Sequence, residues 1–192
     1  MEEIIVDPED IVEINTEQKD EEQEKIEVKL KIFPDPILRQ QSATIFHGTP
    51  GLQNLFDAMV SIMKSNEGIG IAAPQVGIPI RMIVITNKDE HFPLINPKII
   101  EKSKETEIGL EGCLSIPGII VKIKRPTKIK VAGQNIKGER IEVNAEGDAA
   151  RELCHEIDHL DGILFIDRAS PAAKNSIKKQ LKKFGVKTYG HK

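Results

Sequence analysis

His155, Glu156 and His159 stand in the order H-E-x-x-H. Side chains four apart on an α-helix lie one turn apart on one face, so both imidazoles can point at a single divalent ion. Glu156 follows the first imidazole and can reach the open side of that ion, where a water sits, as a general base. A catalytic site of this kind needs a third protein ligand and leaves its fourth position to water. After His159 the chain offers no Glu and only one His, His191. The better third ligand lies upstream: Cys113, within Glu111-Gly112-Cys113-Leu114-Ser115. A thiolate beside a dication is deprotonated and binds strongly. Gly112 would let backbone approach closely there. Cys154 points about 100° away from the His155 imidazole on a helix and reads as a small buried hydrophobe. Asp158 and Asp161 flank the histidines as candidate acceptors that would orient an imidazole. The chemistry this set could do is metal-assisted hydrolysis of a small amide.

These side chains need rigid supports. Asp148–Leu160 has helical spacing, with Leu153, Ile157 and Leu160 on one apolar stripe and Gly162 as the stop. Between Gly51 and Asn66 the apolar residues Leu52, Leu55, Phe56, Met59, Ile62 and Met63 recur at three and four, which predicts an amphipathic helix ending by Gly68. Leu30, Ile32 and Phe33 read as a short strand, turned by Pro34-Asp35-Pro36. Arg81–Thr86 reads as a buried strand, and Leu94–Ile100 as another in which Pro97 marks an edge or a bulge. Apolar alternation at Ile119, Val121 and Ile123, at Ile129 and Val131, and at Ile141 and Val143 predicts half-buried strands, the last two joined through the turn Asn135–Gly138. Ser170-Pro171 opens a final helix to about Phe184, with Ile177, Leu181 and Phe184 inward and five lysines elsewhere. Helices and strands mix without regular βαβ alternation, so the fold class is α+β.

Composition narrows the alternatives. The 192 residues suit one domain with an appendage. Residues 1–27 carry twelve acids and two lysines, a net of −10, which leaves +7 for residues 28–192 out of the overall −3. A segment so charged is expected to be a mobile acidic extension, and the catalytic domain is expected to occupy residues 28–192. Two cysteines and the lack of a secretory signal pattern point to a reducing, cytoplasmic setting. No apolar run approaches a membrane span. Without Trp, and with a single Tyr, base stacking on single-stranded nucleic acid is not expected, and no DNA partner is expected either. The glycine-rich stretch Gly68–Gly77 lacks the Lys-Ser/Thr ending of a phosphate loop. A peptidase or another amidase remains an alternative class, as does a non-catalytic metal module.

Three segments together resemble the signature motifs of the peptide deformylases: Gly68-Ile69-Gly70-Ile71-Ala72-Ala73-Pro74-Gln75, then Glu111–Ser115, then His155-Glu156-Ile157-Asp158-His159-Leu160-Asp161-Gly162. The resemblance spans roughly residues 29–170. It implies mixed and antiparallel sheets packed around a central helix bearing H-E-x-x-H, with a C-terminal helix beyond. It implies removal of the N-formyl group from the N-terminal methionine of nascent polypeptides, with release of formate. Carried over residue by residue, Cys113, His155 and His159 match the metal ligands and Glu156 the general acid/base. Gln75 and the backbone N–H of Leu114 match the groups that stabilise the oxyanion. Ile69, Gly70 and Gly112 match positions lining the substrate, and Glu111 matches a residue supporting the site. The ion implied is Fe²⁺, with Zn²⁺, Ni²⁺ or Co²⁺ able to replace it. The implied protein is a cytoplasmic monomer, and the lysine-rich helix at about 170–184 is a candidate contact to the ribosome. Asp148, Arg151 and Glu152 fall where family members often carry apolar residues lining the methionine pocket. Arginine is tolerated there, but Asp148 and Glu152 depart from the pattern and either face away or make the pocket more polar. Cys154 stands where glutamine is commoner, and the acidic leader has no counterpart.

Overall fold

The computed structural model of the protein describes residues 28–46, 48–88 and 90–183. The acidic extension at 1–27 and Phe184 lie outside them. In chain order the elements are α1 (Leu52–Ser65), β1 (Gly70–Ala72), β2 (Met82–Asn87), β3 (Glu90–Lys102), β4 (Thr106–Cys113), β5 (Ile116–Pro126), β6 (Lys128–Gln134), β7 (Arg140–Glu146), α2 (Asp148–Leu160), α3 (Phe165–Arg168) and α4 (Pro171–Lys183). Five strands form one sheet in the order β1-β2-β3-β6-β7, and β4 and β5 form a separate two-stranded ribbon. Every strand pairing is antiparallel.

Helix α2 lies between these sheets. Its apolar stripe, Leu153, Ile157 and Leu160, packs with Ile83, Leu94, Ile129 and Val131 of the large sheet. Burying such side chains contributes roughly 1.5–3 kcal/mol each, which is why this stripe faces the sheet. Helix α1 covers β1 and β2 through Leu55, Met59 and Met63, all essentially inaccessible. The ribbon strand β5 meets α3 and α4 through Ile119, Ile123, Phe165, Ile177 and Leu181. The sequence-based boundaries of α1 and α2 agree with these elements. At Pro97 the register of β3 against β6 shifts between Ile95 and Lys98, which is the expected bulge.

Two local expectations differ. Residues 28–33 form no strand: Lys31 N–H donates to Gln75 O and Phe33 N–H to Ser115 O, so the segment bonds to two different elements and no ladder develops. Strand β4, by contrast, carried no sequence signal. Its inward positions are Gly109, Glu111 and Cys113, while Ile108 and Leu110 are exposed. This inversion of the usual pattern hides the strand from a hydrophobic-alternation reading.

Gly162 ends α2 with φ of +67°, and a Cβ there would lie 2.5 Å from the Arg39 carbonyl oxygen. Gly162→Ala should therefore destabilise the protein by at least about 1–2 kcal/mol, the cost of a left-handed non-glycine residue, before the clash is added. The urea midpoint checks it; an unchanged midpoint would show that the Arg39 turn yields freely.

Candidate metal and hydrolytic site

The backbone of α2 places His155 and His159 on one face, with ring centroids 5.0 Å apart and planes inclined by 70°. The end of β4 brings Cys113 to them from the ribbon, its Sγ 3.2 Å from His159 Nε2. One ligand atom from each of Cys113, His155 and His159 lies within 4.8 Å of the others, and both histidines are buried. His155 Nδ1 is 3.1 Å from Glu111 Oε2 and donates to that carboxylate, which turns Nε2 to the cysteine side. A cysteine sulfur and two imidazoles gathered this closely fit a borderline transition-metal dication.

Glu111 is the hub beneath these candidate ligands. Its carboxylate accepts from Arg125 Nε at 2.8 Å and Arg125 Nη2 at 2.9 Å, and from Arg151 Nη1 at 3.2 Å. Burial by itself would raise its pKa, but hydrogen bonds from His155 and Arg125 hold it down at about 2. Burial likewise opposes the charged form of His155, yet its hydrogen bonds to Cys113 and Glu111 carry it up to about 10. Burial and the nearby His155 charge keep His159 well below its ordinary value. Burial pushes the Glu156 carboxyl up to about 7, against the opposing pull of His155. Glu156 Oε2 has no hydrogen-bond partner.

Gln75 sits in the short 3-10 turn Ala73–Val76 that follows β1. Its Oε1 accepts from Ala72 N–H at 2.7 Å, and its Nε2 donates to Ser115 Oγ at 3.2 Å and lies 3.5 Å from Cys113 Sγ. The amide is thus turned so that its N–H groups face the ligands. A cleft of about 590 Å³ opens here, lined by Ile69, Gly70, Gly112 and Leu114 among others. Glu111, Cys113, His155 and Glu156 also line this cleft, whereas His159 does not line it and meets the site through Cys113.

Some expectations shift. Asp158 and Asp161 do not orient the imidazoles: Asp158 pairs with Arg125 and Arg168, and Asp161 with Arg81. Glu111 does that work. A Cβ on Gly112 would meet nothing nearer than 3.8 Å, so the fold itself does not require glycine there. Cys154 is buried in the core, as its helix position implied. Asp148 and Glu152 line the cleft and do not face away from it. The supporting roles of Arg125, Arg151 and Ser115 escaped the sequence reading. For Arg125 a signal existed. It follows Ile119, Val121 and Ile123 at the inward positions of β5, so strict alternation already puts a guanidinium in the interior.

The polypeptide deformylase family model matches residues 27–175. The chain is 43% identical over 153 residues to the peptide deformylase of Thermotoga petrophila, covering 80% of this chain and 93% of that protein. Among solved structures, the peptide deformylase of Thermotoga maritima superposes with a TM-score of 0.72 at 43% identity, covering 75% of this chain and 98% of that one. The Synechococcus elongatus enzyme in complex with actinonin superposes with a TM-score of 0.78 at 35% identity, covering 84% and 89%.

Proposed function

Since the chain belongs to the polypeptide deformylase family, metal-dependent enzymes that remove the N-formyl group from newly made polypeptides, we propose that Cys113, His155 and His159 hold one divalent ion and that Glu156, Gln75 and Leu114 carry the hydrolysis. The observation that supports this most directly is the convergence of those three ligand atoms beside an unpartnered, buried Glu156 carboxylate. When bound, the ion supplies Lewis acidity, polarising the formyl group and easing deprotonation of water.

The protein's own groups do the rest. Glu156 takes a proton from the attacking water and returns it to the amine that leaves, a role matched by a pKa near neutrality. Gln75 Nε2 and the Leu114 N–H meet the charge that develops on the formyl oxygen. Ile69, Gly70 and Gly112 line the peptide's path, and Glu111 keeps His155 in the tautomer whose Nε2 is free. Gln75→Glu keeps the acceptor for Ala72 but removes the donor, and should lower kcat by at least about 10²-fold. Formate release, measured beside metal content, checks it; a near-normal kcat would remove Gln75 from the oxyanion site.

The working ion in this reading is Fe²⁺, which a thiolate-and-imidazole set accepts alongside Zn²⁺, Ni²⁺ and Co²⁺. Anaerobic purification, metal quantification and formate release from formyl-Met-Ala-Ser test the whole assignment. Full activity with zinc alone would overturn iron, and no formate release from metal-loaded protein would overturn the enzyme. Among the described residues no helix is long and apolar enough to cross a membrane. A cytoplasmic monomer that meets nascent chains at the ribosome fits this activity. Helix α4, with Lys178, Lys179 and Lys182, offers the basic face for ribosomal RNA. Co-sedimentation with ribosomes that survives changing these lysines to Glu would dismiss that contact.

A further inference from the structure

Asp148, Glu152 and Glu156 stand four apart along α2 and all line the cleft. Residues at this spacing share one helical face, so they form an acidic stripe from the exposed mouth at Asp148 to the buried floor at Glu156. Glu152 is held close to the substrate wall. A Cβ built on Gly70 would lie 2.8 Å from Glu156 Oε1 and 3.1 Å from Glu152 Oε1. The hydrogen bond that Glu152 accepts, from Thr86 N–H, is long at 3.4 Å, and that N–H also donates to Ile69 O at 3.1 Å.

Among the described residues that line this cleft, the basic side chains are Arg151 and His155. The guanidinium lining this cleft, Arg151, is spent on Glu111 and on the carbonyl oxygens of Ile123 and Glu107. A divalent ion at the ligands would be offset by the Cys113 thiolate and the Glu156 carboxylate. Among the described residues no ion pair reaches Glu152 or Asp148, and burial, opposed by the Thr86 N–H and the nearby His155, raises the Glu152 carboxyl to about 7. Like charges at this spacing destabilise a helix, and a half-buried carboxylate without a counter-charge is costly. A positively charged or hydrogen-bond-donating group on the ligand would relieve both penalties.

We propose that the first-side-chain pocket of this enzyme accepts, besides methionine, N-formyl peptides whose first side chain ends in a cation or hydrogen-bond donor at the reach of lysine, with Glu152 as the principal specificity determinant and Asp148 as its outer partner. The proposal rests on the deformylase reading. Norleucine shares the unbranched four-carbon stem of lysine and lacks the amine, so it isolates the contribution of the charge.

Metal-loaded full-length enzyme is assayed for formate release from formyl-Met-Ala-Ser, formyl-norleucine-Ala-Ser and formyl-Lys-Ala-Ser. The lysine peptide should reach a kcat/KM within roughly tenfold of the norleucine peptide or exceed it. The lysine-to-norleucine ratio should fall by roughly tenfold or more in Glu152→Val, because a pocket built for a donor discriminates by that donor. Asp148→Ala, at an exposed position that folding tolerates, should lower the ratio in the same direction by a few-fold, and added salt should lower it in the wild type. A wild-type preference for norleucine above roughly hundredfold, unmoved by either substitution, overturns the proposal while leaving the deformylase reading intact. Absence of formate from all three peptides overturns that reading and the proposal with it.

Discussion

Replacing Glu156 by alanine should lower kcat by roughly 10²–10⁴, the usual contribution of a positioned acid/base, while metal content stays unchanged. The residue is only 5% exposed, and its Oε2 finds no partner among the described residues. A buried carboxylate oxygen left without a donor is costly unless a ligand or water meets it. Nothing in the fold is supported by this oxygen, so its removal should leave stability and ligand geometry nearly untouched. Glu156→Gln keeps the shape and removes the titration, and should be nearly as inactive. The pH profile carries the sign. The base must be ionised, so kcat/KM should rise with pH through the Glu156 pKa and then level. Burial places that pKa at about 7; a bound cation lowers it, so the acid limb of loaded enzyme should fall below that value. An Ala variant with wild-type turnover would transfer the proton to another group.

The second large effect concerns stability. Glu111→Ala should cost about 3–5 kcal/mol, the usual result of removing one partner from a buried charge cluster. Arg125 and Glu111 have side chains 6% and 3% exposed, and the carboxylate also meets Arg151 and His155. Arg125 would keep Asp158, at 2.6 Å, which places the loss toward the lower end of that range. Metal affinity should fall by roughly 10–100-fold, because His155 loses its orienting acceptor. Linkage gives an independent check. Glu111 ionises in the folded protein at about 2 against its usual 4.5, so its stabilisation is complete above 4.5 and is lost as pH falls from there toward 2. Glu111→Gln should flatten the acid limb of the stability curve in that window. Urea unfolding at several pH values would show it, and an unchanged slope would assign acid sensitivity to other carboxylates.

What the sequence revealed and concealed follows one rule. The candidate ligands on α2 were legible because the 3.6-residue period alone brings His155 and His159 together, whatever surrounds them. Cys113 was legible as the upstream candidate by its neighbours, but its element was not. Strand β4 turns Glu111 and Cys113 inward and leaves Ile108 and Leu110 outside. A strand serving a site reverses the polarity on which pattern reading depends. The partners of Glu111 were equally hidden, since they stand on β5 and α2 and only the tertiary fold brings them to β4. Asp158 and Asp161 looked like imidazole partners because they are close in sequence. Arginines from distant elements claim them instead.

Cys113 belongs to the ribbon, whereas both histidines belong to the helix packed on the large sheet. An ion held by all three is therefore a cross-link between two separately hydrogen-bonded lobes. Stripping it with a chelator should free the ribbon first, seen as faster amide exchange in β4 and β5 than in β2 and β3. The melting temperature should climb with added ion as occupancy rises, by the equivalent of about 2.7 kcal/mol at a hundredfold excess over the dissociation constant.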